Sequence, residues 1–124
     1  MGRNIINDIL SQYKRQFFMN HDNKYALRRI KYQGTYMINI CDLNLVDKVI
    51  NKGDFAISIS KEYFHDEEID EEEATSLLKS SSMLNLVGKN VVALALRLKL
   101  AKENSVKVIE GVPFLMVFSF VGNY

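Results

Sequence analysis

From Val91 to Leu100 the chain is apolar on nearly every side of a helix, with Val91, Val92, Leu94, Leu96, Leu98 and Leu100 leaving almost no polar stripe. Such a helix must be covered all round, so it has to lie inside a core. The pattern predicts a helix from about Gly88 to Lys102. A chain of 124 residues, 48% hydrophobic and 25% charged, is large enough to bury one core without disulfides or metal. Cys41 is the single cysteine and has no internal partner, which points to a reducing, cytoplasmic setting. The longest apolar stretches, Val91 to Leu96 and Val112 to Phe118, fall far short of the roughly 20 residues that cross a bilayer. Asn7 and Asp8 break up any leader-like run, so neither a signal peptide nor a membrane partner is expected.

The other elements follow from period and turn chemistry. Ile5, Ile9, Tyr13 and Phe17 recur at four-residue spacing, with Asn4 as an N-cap, and predict an amphipathic helix over 4–18. Residues 1–23 then form a helical extension with its linker, and 24–124 a single domain. Tyr25 to Tyr32 and Thr35 to Cys41 read as strands joined at Gln33-Gly34. A short strand at Lys48 to Ile50 precedes the turn Asn51-Lys52-Gly53-Asp54, and Phe55 to Ser60 alternates as a half-buried strand. Lys61 to Phe64 suits one helical turn. Asp70 and Glu73 have the spacing of a capping box at the start of a helix to Ser80. Val106 to Ile109 and Phe114 to Phe120 complete the order β-β-β-β-α-α-β-β. The expected fold is α+β: a mixed, largely antiparallel sheet of five or six short strands packed with two helices, plus the N-terminal helix.

The net charge of +1 hides an uneven distribution: residues 1–41 carry a net +5, residues 42–76 a net −8 and residues 77–124 a net +4. Arg28, Arg29 and Lys31 lie in one strand between Tyr25 and Tyr32, with Lys14, Arg15 and Lys24 upstream. Cations interleaved with tyrosines suit phosphates and stacked bases; they also suit an edge strand protected by charge. Strand alternation places Arg29 and Lys31 on one face and Arg28 on the other. Gly88-Lys89 opens a helix whose free N–H groups could meet an anion, or Gly88 simply permits a tight entry. It is not a P-loop, because Met83 and Asn90 stand where Gly and Ser or Thr are needed. Ser76 and Lys79 match S-x-x-K by chance, with no partner motifs. His65, Asp66, Glu67, Glu68 and Asp70 have no metal-ligand spacing and read as a solvated acidic loop feeding a helix N-terminus, and neither His21 nor His65 sits in a nucleophile context. No metal and no cofactor are expected.

Asn85-Leu86-Val87-Gly88 before the aliphatic helix, followed by Gly111-Val112-Pro113, resembles the archaeal domain-of-unknown-function family 424. Cys41-Asp42 and Ser60-Lys61-Glu62-Tyr63-Phe64, each after a strand, fit the same family. The resemblance spans about residues 24–121 and implies a small cytoplasmic protein linked to RNA or translation, with no established activity. Relatives often carry a histidine after Gly-Val-Pro; here Phe114 stands in its place, which weakens an enzyme reading.

The expectation is a non-catalytic module that binds RNA, most plausibly ribosomal RNA, through Lys14, Arg15, Tyr25, Arg28, Arg29, Lys31, Asn85 and Lys89. Neighbouring ribosomal proteins could dock on the N-terminal helix. The acidic segment 42–76 should stay off the RNA face. A small-molecule-binding protein or enzyme, and a protein–protein adaptor, are the alternatives.

Overall fold

The computed structural model describes residues 23–119. The helix read over 4–18 therefore lies outside the described residues, as do Lys14 and Arg15.

Strand β1 (Lys24–Tyr32) turns at Gln33 and Gly34, both at positive φ, into β2 (Thr35–Asp42). Two left-handed residues form the turn whose twist matches that of the flanking strands. A short 3₁₀ turn, Leu43–Leu45, leads to a separate hairpin, β3 (Val49–Lys52) and β4 (Phe55–Ser58). One helical turn, α1 (Lys61–Phe64), follows as the sequence suggests. Then come β5 (Glu67–Asp70), α2 (Glu71–Ser80), β6 (Met83–Val87), α3 (Lys89–Arg97), β7 (Lys107–Ile109) and β8 (Val112–Phe118). The main sheet has six strands in the order β5-β1-β2-β6-β8-β7. Only β2 and β6 run parallel; the other neighbours are antiparallel. The fold is mixed α+β.

Three expectations need correction. The acidic run before α2 contains a strand, β5, held by backbone pairing to β1 and by one buried side chain, Ile69. Met83–Val87, between the two helices where the expected order has no strand, is β6, one of the two central strands. The helix expected to reach Lys102 stops at Arg97. There Lys99 takes a left-handed φ of 61°, with Leu100 N donating to Ala95 O (3.1 Å) and Lys99 N to Leu96 O (3.0 Å). That bond pair is the Schellman stop, here built on a lysine rather than a glycine.

Helices α2 and α3 cover one face of the sheet. Val91 to Leu96 are all buried there against Leu27, Ile38, Ile40, Leu84, Leu86, Leu115 and Val117. The capping box forms as read: Glu73 N donates to Asp70 Oδ1 (2.9 Å) and Asp70 N to Glu73 Oε1 (3.4 Å). The hairpin and α1 cover part of the other face, where Ile50, Ile59 and Phe64 pack on Ala26, Cys41 and Val87. Beyond α1 that face carries the half-buried Ile30, Met37 and Met83 and the exposed Met116 and Phe118.

Candidate functional site

Because β2 and β6 are parallel neighbours, their C-terminal ends emerge side by side, with Asp42 closing β2 and Gly88 following β6. In open sheets this edge is where ligand clefts form. Three stretches far apart in sequence meet here: Cys41-Asp42, Val87-Gly88-Lys89 and Gly111-Val112-Pro113.

Gly88 offers α3 no capping side chain, so the cap comes from Asp42. Asp42 Oδ2 accepts from Asn90 N and Oδ1 from Val91 N, both at 2.9 Å. Gly88 N donates to Pro113 O at 2.9 Å, tying in the third stretch. Gly88 sits at φ 123°, and a Cβ there would overlap the Asp42 carboxyl, with Oδ2 only 2.6 Å away. Glycine is thus required twice, by backbone conformation and by space.

Asp42 is 5% exposed, and burial pushes its pKa up to about 6 against the opposing pull of the Asn90 and Val91 amides. The Cys41 thiol beside it is pushed up to about 12, first by burial and then by the Asp42 charge. It is therefore protonated at neutral pH and no nucleophile. A polar relay leaves the site along α3. Asn90 Nδ2 donates to Asn23 Oδ1 (3.4 Å), Asn23 Nδ2 to Glu71 Oε1 (3.3 Å) and Tyr25 OH to the same oxygen (2.9 Å). Arg97 Nη2 lies 3.8 Å from Glu71 Oε2.

Two contiguous hollows flank Asp42, of about 350 and 340 Å³. Asn44 and Asn90 line both; Lys89 and Gly111–Pro113 wall one, Asn23 and Lys24 the other. Among the described residues Asp42 is the only carboxylate in either lining, and both of its oxygens are engaged by the helix. A larger hollow, of about 700 Å³, lies along α2 and is lined by Asp70, Glu71 and Glu72 as well as Lys79 and Arg97. Its carboxylates suit an anion poorly.

The residues singled out from sequence scatter. Lys89 is exposed at the cleft. Of the N–H groups that could meet an anion at this helix start, those of Asn90 and Val91 are taken by Asp42. Tyr25 is fully buried and bonded to Glu71, so its ring cannot stack on a base, contrary to expectation. Arg28 Nη1 pairs with Asp66 (3.2 Å) and Arg29 Nη1 with Glu67 (3.1 Å), on opposite faces of the sheet. The acidic segment thus lies directly against this strand rather than away from it, because β5 pairs with β1. Lys31 is exposed on the Arg29 side. Asn85 lies on the open sheet face, in register through Asn39 with Arg28. Asn23 and Asn44 were missed as site residues, and Lys24 stood out only as a cation ahead of the basic strand, since only the fold brings them to Gly88. Among the described residues no cluster of three or more His, Cys, Asp or Glu could hold a metal, and no helix is long and apolar enough to cross a membrane.

A search of curated proteins finds no match. A crystal structure of an uncharacterized conserved protein from Methanopyrus kandleri superposes with a TM-score of 0.66 at 15% identity, covering 81% of this chain and 99% of that one. At that identity the likeness concerns the fold alone. A family model described as a protein of unknown function, DUF424, matches residues 30–120, a span that holds Asp42, Gly88 and Gly111–Pro113 together. The chain belongs to the DUF424 family.

Proposed function

We propose that this protein is a non-catalytic RNA-binding module of the translation machinery, which holds the RNA backbone in the cleft over Asp42. The observation that carries this reading is the lining itself. Lys24 and Lys89 stand on its two banks, Asn23, Asn44 and Asn90 supply amides, and the one carboxylate among the described lining residues, Asp42, is already bound to α3. Cations with carboxamides are the groups that meet phosphate and sugar oxygens. Burial of the Cys41 thiol removes the nucleophile nearest the cleft, in keeping with a binding rather than a catalytic role.

The test is sedimentation of the full-length protein with ribosomal subunits at low salt, beside a K24A/K89A variant. Both lysines are exposed, so the variant should fold normally. Co-sedimentation of the unmodified protein and its loss in the variant are expected. Failure of the unmodified protein to sediment with either subunit would end the ribosomal reading.

The size of the cleft and its place at the ends of two parallel strands also suit a small anionic metabolite. Calorimetric titration of the protein with nucleotides and sugar phosphates separates that second reading from the first.

A further inference from the structure

The open face of the sheet lies outside the cleft and adds thioether and aromatic groups that the described residues of the cleft lack. Two rows cross it. One holds Arg28, Asn39, Asn85 and Met116 in register from β1 to β8. The next pairs Ile30 with Met37 and Met83 with Phe118. Every methionine among the described residues, Met37, Met83 and Met116, is on this face. Met116 is 52% exposed and Phe118 59%. Tyr63 of α1 is exposed at the border, where Asn39 Nδ2 donates to its carbonyl oxygen (2.9 Å).

The mixture of groups favours a nucleobase over an apolar protein segment. An apolar protein segment sealed onto Phe118 would also cover the half-buried Asn85, whose carboxamide has no hydrogen-bond partner among the described residues. Burying such an amide unpaired is unfavourable. A nucleobase has a flat apolar face and a hydrogen-bonding edge, so it meets both. Asn85 is the diagonal cross-strand neighbour of Phe118, roughly 7–8 Å away between backbones, about the span from the centre of a stacked base to a side chain at its edge. Thioethers favour aromatic rings, and exposed aromatics on a sheet are stacking platforms for unpaired bases.

We propose that this face is a base-stacking subsite: an unpaired base of the bound RNA lies on Phe118 against Met83 and Met116, and Asn85 hydrogen-bonds its edge. The inference rests on the RNA reading above and adds to it that part of the bound RNA is single-stranded.

The experiment titrates the full-length protein with a fluorescent unpaired RNA octamer and, separately, with inorganic polyphosphate. The chain has no tryptophan, so F118W introduces a single reporter. F118A should weaken octamer binding about tenfold, the effect of losing one stacked base. Polyphosphate binding should not change, and F118W should bind normally with its fluorescence quenched by RNA. Octamer binding that is lost in K24A/K89A but unaffected by F118A would overturn the stacking subsite and leave the RNA reading standing. Failure of the unmodified protein to bind any RNA would remove both. A dimer that F118A converts to monomer would show that the face joins two copies of the chain, and would also overturn the proposal.

Discussion

At the scale of single residues, the Asp42–Gly88 contact decides most. Replacing Gly88 by alanine forces an L-residue to φ 123° and drives a methyl into the Asp42 carboxyl. We expect a loss of about 2–4 kcal/mol, combining backbone strain and overpacking. Urea denaturation checks it, and a loss below about 1 kcal/mol would mean that the two groups move apart at little cost. Asp42 also makes stability depend on pH. Its folded pKa of about 6 lies above the ordinary 3.8, so between these values the folded state binds more protons than the unfolded state. Stability from this group is therefore greatest below pH 4 and declines as pH rises to about 6, by on the order of 3 kcal/mol. In D42N that decline should vanish, so the stability difference between the wild-type protein and D42N should shift between pH 4 and pH 7. A difference that stays flat across this range would show that Asp42 keeps an ordinary pKa. Lys99 offers a smaller test. Its left-handed conformation suits glycine, so K99G should raise stability by up to about 1 kcal/mol in the same assay.

At the scale of elements, α3 is the centre of the core, and its burial was legible from an apolar pattern with no polar side. Leu94 is completely buried, so Leu94→Ala should cost about 2–5 kcal/mol in chemical denaturation, and under about 1 kcal/mol would contradict its central place. The Asp70–Glu73 box and the Gln33-Gly34 turn were equally legible, because each is fixed by neighbours within four residues. Strands β5 and β6 were not. Glu67–Asp70 has one apolar residue and owes its form to pairing with β1, while Met83–Val87 is a short apolar run in which Asn85 blurs the period. Local pattern cannot register a strand that is held by partners far along the chain. The site divides the same way. Gly88, Lys89 and the Gly-Val-Pro stretch stood out as segments, but their meeting at Asp42 depends on the parallel pairing of β2 and β6. Tyr25 shows the converse: an aromatic at the start of a basic strand looks like a stacking residue until the partner strand and Glu71 enclose it.

At the scale of the whole molecule, the near-neutral charge is organised by the sheet. The edge strand β5 brings acidic residues against Arg28 and Arg29, while the rim at the ends of β2 and β6 holds Lys24, in register with Asp70 of β5, and Lys89 beside amides. Exposed ion pairs such as Arg28–Asp66 contribute little stability, so their main effect is to lower the positive charge of that strand towards an anion. The central claim is that RNA phosphates are held at the Lys24–Lys89 cleft. Its most direct measurement is the dependence of RNA affinity on salt, taken with the full-length protein, K89A, K24A/K89A and, as a control, R28A/R29A. Each lysine that neutralises a phosphate releases counterions, so K89A should lower the slope of log K against log salt by about one unit and K24A/K89A by about two. R28A/R29A should leave the slope almost unchanged. A slope that the lysine substitutions do not alter, or one that falls in R28A/R29A instead, would contradict the account.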